Sequence, residues 1–225
     1  MKRTDGEAIE PPETARAVFG DQLAGARRFA AALADAGVVR GLIGPREVPR
    51  LWDRHLLNCA VLAPALPERA SVCDLGAGAG LPGVVLAMLR PDVSMTLLEP
   101  LLRRTTFLSE VVADLKLPNV RVVRARAEEE AARLRGGDGY RVVVARAVAR
   151  LDRLAAMALP LCAAGGALLA IKGASARDEI SAAAPRLPSL GAARWSVEQY
   201  GVDVLQEPTT VIRIVAKNGR AITGR

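Results

Sequence analysis

The sequence predicts an α/β chain built on a parallel, doubly wound sheet, and three observations carry that expectation. Short apolar, β-branched segments alternate with longer segments whose apolar residues recur at helical spacing. The first of the short segments runs through three alternate glycines, Gly76, Gly78 and Gly80, straight into a helical pattern. The last two short segments have no helix between them, which predicts an antiparallel pair at the sheet edge.

Taken in order, residues 1–13 carry acids and a Pro11-Pro12 pair without periodicity and are expected to form a disordered tail. From 14 to 36 the apolar positions Ala17, Val18, Leu23, Phe29 and Leu33 follow a helical spacing, and Gly37 closes the segment. A second helix is expected over 49–62, with Leu51, His55, Leu56, Cys59 and Leu62 broadly on one side. Residues 14–66 thus read as a helical N-terminal extension, forming one compact unit with a domain spanning 67–225. Pro64 and Pro67 interrupt the chain before its first strand. Strands then fall at 71–75, 94–99, 120–125, 141–146 and 166–171. Helices fall between and after them at 81–90, 103–115, 127–134, 151–161 and 176–184. The closing strands lie near 193–199 and 210–216, and no internal repeat is visible.

Bulk composition narrows the class. The chain has 225 residues, enough for an ample core, and 51% of them are hydrophobic. No stretch approaches the roughly twenty uninterrupted apolar residues of a membrane span. The acidic N-terminus lacks the pattern of a signal peptide, so a cytoplasmic location is expected. Cys59, Cys73 and Cys162 sit in apolar sequence without metal-ligand spacing, which predicts buried free thiols and no metal. Lys and Arg total 31 against 24 acids, a net charge of +7. Such a balance favours a polyanionic partner such as nucleic acid. With aromatics at 3%, a base-stacking platform is not expected.

The glycine turn is the most informative segment. A strand that passes into a helix through glycines lets a ligand lie against bare backbone at a helix N-terminus. Gly78-Ala79-Gly80-Leu81-Pro82-Gly83 matches the dinucleotide fingerprint G-x-G-x-x-G. The wider segment Asp74 to Gly80 matches D-x-G-x-G-x-G, the turn of S-adenosylmethionine-dependent methyltransferases. Asp74 separates the two, because a carboxylate at the strand tip repels a pyrophosphate but attracts the ammonium of a methionine moiety. A branched side chain at Gly76 is expected to block that ligand at little cost to the fold.

Glu99 ends the second strand about twenty residues beyond the glycines, where an acid in such folds bonds ribose hydroxyls. An acid merely capping a strand end in solvent is the plain alternative. The turn Arg124-Ala125-Arg126-Ala127-Glu128 follows the third strand. In methyltransferase-like sheets it faces the adenine, with a backbone amide and an acid, here at Ala127 and Glu128. An acidic run at a helix start is also favoured by the helix dipole alone. The fourth strand ends on Ala145-Arg146-Ala147. It offers no Asn/Asp-Pro-Pro-aromatic set for an exocyclic amine, no cysteine for attack at pyrimidine carbon five, and no acid for ribose methylation. Targets that are already nucleophilic remain, and guanine N7 fits, since positioning supplies most of the acceleration. Arg146 paired with a nearby acid is the structural alternative.

These residues resemble one family. Leu51-Trp52-Asp53-Arg54-His55, Asp74 through Gly83, Leu97-Leu98-Glu99 with Arg103-Arg104, Ala145-Arg146-Ala147, and Leu169-Ala170-Ile171-Lys172-Gly173 occur in its order. The family is that of the bacterial small-subunit ribosomal RNA guanine-N7 methyltransferases, known as RsmG or glucose-inhibited division protein B. The resemblance implies a class I S-adenosylmethionine-dependent methyltransferase fold: a Rossmann-like sheet with helices on both faces, an antiparallel edge strand pair and a helical N-terminal extension. It also implies cofactor contacts at Gly76, Leu81, Ala127, Glu128 and Arg146, beside Asp74, Gly78 and Glu99 read above. The implied substrate is a guanine in small-subunit (16S) ribosomal RNA, as naked RNA or in an assembling or assembled subunit. Ala145 for the commoner serine and Glu99 for aspartate are mild departures. His55, the only histidine, is read as a joint between the N-terminal helices and the sheet, with shaping of the substrate pocket as the other reading. Lys172 either contacts RNA phosphate or finishes its strand. A small-molecule methyltransferase and a non-catalytic RNA-binding protein on this fold are the rival functions.

Overall fold

The computed structural model describes residues 10–134 and 139–218, so positions 1–9 of the expected tail lie outside the described residues. Seven strands are present among them: β1 (Ser71–Leu75), β2 (Ser94–Leu98), β3 (Val120–Val123), β4 (Tyr140–Arg146), β5 (Cys162–Lys172), β6 (Ala192–Tyr200) and β7 (Thr209–Ala216). Their order across the sheet is β3-β2-β1-β4-β5-β7-β6. β1 to β5 are mutually parallel, while β7 runs antiparallel to both β5 and β6. The chain winds outward from β1 to β3, then returns to the other side of β1 with β4. That reversal opens a crevice at the carboxyl ends of β1 and β4, where ligands of doubly wound sheets bind.

Period-two alternation sends side chains through to two separate cores. On one face Val72, Met95, Leu97, Val142 and Val144 pack with α4 (Gly83–Leu89), α5 (Leu102–Asp114) and the N-terminal segments. On the other, Cys73, Leu75, Val143, Leu168 and Ile212 pack with α7 (Leu151–Ala158), α8 (Ala176–Ala183) and Ala127 of α6 (Ala127–Arg133).

The helices keep the expected places with local changes. The helix expected over 14–36 divides into α1 (Glu13–Phe19) and α2 (Leu23–Ala32), because the chain turns at Gly20, and it closes in a widened π turn over Leu33–Gly37. The helix expected over 49–62 is a 3₁₀ stretch Pro45–Arg50, a π segment Leu51–Leu56 and a short α3 (Leu57–Ala60). Pro49 has no N–H to donate to a regular helical ladder. All five positions expected on one side, Leu51, His55, Leu56, Cys59 and Leu62, are buried. Trp52 is buried too and meets Phe19 edge to face at 6.0 Å. The helix after the glycine turn starts at Gly83 rather than at 81, since a residue preceding proline is steered away from helical backbone. All three cysteines are free and buried.

Candidate active site

The turn after β1 is held from below by two carboxylates. Asp74 is fully buried, and its Oδ2 accepts the backbone N–H of Gly83 at 2.8 Å. A Cβ on Gly83 would lie 2.4 Å from Leu97 Cδ2 and 2.6 Å from Asp74 Oδ2, so only glycine lets α4 approach β1 this closely. The other oxygen, Asp74 Oδ1, is buried with no hydrogen-bond partner. Burial pushes the Asp74 carboxyl up to about 7, against the pull of the Gly83 N–H and of the Arg146 charge.

Glu99 is the second carboxylate, and it is 1% exposed. Its Oε2 accepts the Gly78 N–H at 3.1 Å and Arg104 Nη1 at 3.4 Å, and its Oε1 accepts the Leu101 N–H at 3.1 Å. An ionised carboxylate offers about four acceptor positions, so one remains for a ribose hydroxyl. Gly76 sits at the lip of the turn with φ +69°, and a Cβ there would meet Val148 Cγ2 at 3.0 Å. A branched residue at Gly76 therefore strains the turn itself, contrary to the expectation that the fold would barely notice it. Leu81 and Ala127 are buried, whereas Glu128 is exposed at the start of α6. Its neighbours in the acidic run do other work. Glu129 accepts the Arg126 N–H at 2.8 Å, and buried Glu130 accepts the Tyr140 hydroxyl at 2.7 Å.

The tip of β4 meets the N-terminal segment. Arg146 donates through Nη2 to His55 Nδ1 and through Nη1 to the Arg54 carbonyl at 3.3 Å, with Cys59 Sγ 3.8 Å away. His55 Nε2 lies 2.8 Å from Glu47 Oε2. An arginine has no lone pair to offer, so Nδ1 is the acceptor and the imidazole proton sits on Nε2, donated to Glu47. Burial, then the Arg146 charge, push the His55 imidazolium below the usual histidine range. The bond from His55 holds the Glu47 carboxyl below its usual range. Ala147, next along, adopts φ +55°, uncommon for a residue with a side chain. Lys172 is turned away from this junction: its Nζ donates to Glu179 Oε2 at 2.8 Å and to the Ala149 carbonyl at 2.9 Å.

Glu47, Cys59 and Val148 were not legible as site residues. Glu47 is a single acid in an irregular stretch, and no spacing ties it to a strand tip ninety-odd positions away. Gly83 did carry a signal, because the third glycine of such a fingerprint serves close helix–strand packing.

The residues present fit S-adenosylmethionine. Two buried side-chain polar atoms among the described residues lack a partner, Asp74 Oδ1 and Arg104 Nε. An ammonium group would satisfy the first. A doubly wound sheet with a glycine turn over a buried acid, and a second acid ending the next strand, defines a class I S-adenosylmethionine-dependent methyltransferase. Solved structures share the fold. The precorrin-6y C5,15-methyltransferase of Geobacter metallireducens gives a TM-score of 0.51 at 19% identity, covering 77% of this chain and 89% of that one. An O-methyltransferase of Thermotoga maritima gives 0.54 at 14%, covering 73% and 66%. The family model for rRNA small subunit methyltransferase G matches residues 22–204, and the chain belongs to that family. It is 54% identical over 212 residues to the ribosomal RNA small subunit methyltransferase G of Streptomyces avermitilis, covering 94% of this chain and 88% of that protein. The protein of the same name from a Nocardioides species is 57% identical over 210 residues, covering 93% and 82%.

Proposed function

We propose that this protein transfers a methyl group from S-adenosylmethionine to N7 of a guanine in small-subunit (16S) ribosomal RNA. One observation carries the choice of acceptor. The side chain best suited to general-base work, His55, has Nδ1 occupied by Arg146 and its proton committed to Glu47, so no lone pair is left to take a proton from a substrate. Asp74 titrates near neutrality but lies beneath the glycine turn, its free oxygen suited to an ammonium. A site without a free base suits a nucleophile whose lone pair is already available, as guanine N7 is.

The cofactor, when bound, supplies an electrophilic methyl on a sulfonium. Asp74 would hold its ammonium, Gly76 and Gly78 would give it room, Leu81 would line the pocket, and Glu99 would take the ribose. Ala127 and Glu128 would face the adenine. Arg146 would place its guanidinium charge beside the transferred methyl and steer the base. Exposed Arg46, Arg50 and Arg54 form a basic edge on the N-terminal segment, suited to RNA phosphates. His55 would shape the pocket from behind Arg146, and Lys172 would act on RNA through the loop it holds. The substrate would be met in the cytoplasm, as free RNA or within a ribosomal subunit. No described helix is long and apolar enough to cross a membrane, and no metal-holding cluster occurs among the described residues.

The test is incubation with labelled cofactor and 16S RNA from a strain lacking this protein, followed by nucleoside digestion and mass spectrometry. N7-methylguanosine is expected. Label in a ribose or an exocyclic amine, or only in small metabolites, refutes the reading.

A further inference from the structure

We propose that Glu47 and His55 are positioning residues for Arg146, which makes the N-terminal segment part of the machinery of methyl transfer. This rests on the methyltransferase reading above.

Among the described residues, the guanidinium at the tip of β4 takes its partners from one stretch of chain, the His55 ring, the Arg54 carbonyl and the Cys59 sulfur, 87 to 92 residues earlier in sequence. None of the described residues on the sheet holds it by a direct side-chain hydrogen bond. An arginine side chain has several rotatable bonds, and fixing it in one pose requires such contacts. The pose matters because the same guanidinium charge reaches the Asp74 carboxyl in the cofactor pocket. His55 is well made for this duty. It is 6% exposed, so its ring cannot swing freely, and Glu47 fixes which nitrogen bears the proton. The relay therefore runs Glu47 carboxylate, His55 Nε2–H, His55 Nδ1, Arg146. Ala147 at φ +55° directly follows Arg146 and sends the next residue, Val148, back over Gly76. A displaced Arg146 would thus disturb the cofactor turn through its own chain neighbours as well.

The arrangement requires a neutral imidazole. Protonation would put an N–H on Nδ1, aimed at a guanidinium with no acceptor. The groups facing the ring are Glu47 and Arg54 from the N-terminal segment and Arg146 from β4, with Cys59 on α3 and Asp74 on β1 beyond Arg146. Burial has pushed the Cys59 thiol up to about 11, so it stays neutral here.

Three variants test the proposal: His55→Leu removes the acceptor at similar volume, His55→Asn keeps an oxygen near the Nδ1 position, and Glu47→Gln removes only the charge. Single-turnover methylation of RNA is followed from pH 5 to 9 with cofactor and RNA saturating, beside thermal melting. A misplaced guanidinium is expected to slow His55→Leu by about tenfold to a hundredfold, with His55→Asn recovering about tenfold of that loss. Wild type should lose rate below the ordinary histidine range, His55→Asn should lack that acid limb, and Glu47→Gln should shift it to lower pH, because the Glu47 charge favours the imidazolium. Equal rates in His55→Leu and His55→Asn overturn the proposal, and so does an acid limb that survives in His55→Asn or stays put in Glu47→Gln. Should His55→Leu fail to fold, the Glu47→Gln shift decides alone. No N7 methylation by wild type would instead overturn the functional reading.

Discussion

A buried carboxyl that titrates near neutrality beneath a cofactor turn makes cofactor affinity a function of pH. Asp74, pushed up to about 7 by burial, is largely protonated in the free protein at pH 6. On the proposed assignment, the ammonium of the cofactor selects the ionised form, so binding would release a proton. Asp74 is mostly protonated at pH 6 and mostly ionised at pH 7.5, which gives an affinity gain approaching tenfold, on the order of 1 kcal/mol. Isothermal titration of S-adenosylhomocysteine at the two pH values, in buffers of different ionisation enthalpy, measures both the gain and the proton. Asp74→Asn keeps an acceptor for the Gly83 N–H and should bind weakly with no dependence on pH. In the free protein the sign is opposite. A carboxyl held above its unfolded value stabilises the fold most below pH 4 and ceases to do so as pH rises through 7. The thermal shift on adding ligand should therefore be larger at pH 7.5 than at pH 6. An affinity unchanged between pH 6 and 7.5 in wild type, with no proton released, would refute the assignment of Asp74 to the ammonium.

Other expectations are simpler. Gly83→Ala drives a Cβ to within 2.6 Å of Asp74 Oδ2; it should cost about 1–3 kcal/mol in denaturant melts and weaken cofactor binding at every pH. RNA affinity should fall linearly with log salt, by about 0.7–0.9 per phosphate contacted, while cofactor affinity stays nearly constant; filter binding from 50 to 300 mM salt measures both. Lys172→Met leaves the partly buried Glu179 without its cation and unties the Ala149 carbonyl. It should lower stability by about 1–3 kcal/mol in denaturant melts and leave the RNA salt slope unchanged; a slope smaller by about 1 would mark Lys172 as a phosphate contact instead.

Much of the fold was legible because the strands advertise themselves. Val142-Val143-Val144 and Leu168-Leu169-Ala170 are buried on both faces and read as continuous apolar runs. Glycine spacing marked the turn, since bare backbone cannot be supplied by other residues. Helix interiors of the N-terminal extension were less legible: Pro49 and the widened turns at Leu33–Gly37 and Leu51–Leu56 leave the apolar spacing intact while changing the backbone. In the candidate site, acids at strand ends could be located by register, but their partners could not. That Glu47 meets His55, or that Val148 leans on Gly76, follows from tertiary packing between stretches with no shared periodicity. Whether Lys172 is free or paired was equally hidden, because its partner Glu179 lies on α8, past a loop.

The alternation along β1 carries a consequence for folding fidelity. Val72 and Asp74 face one core, Cys73 and Leu75 the other. Slipping β1 by one residue would carry the acid into the other, largely apolar layer beneath α7 and α8, on the side where Glu130 already stands buried, and offer a thiol to the crevice. Because β1 is zipped to β2 on one side and β4 on the other, such an error must be made twice at once. A misthreaded chain would then bury the acid without the Gly83 N–H that Asp74 accepts in the native register and with Glu130 nearby, which penalises the wrong register. The residue proposed to hold the cofactor is thus also the chain's proofreading mark.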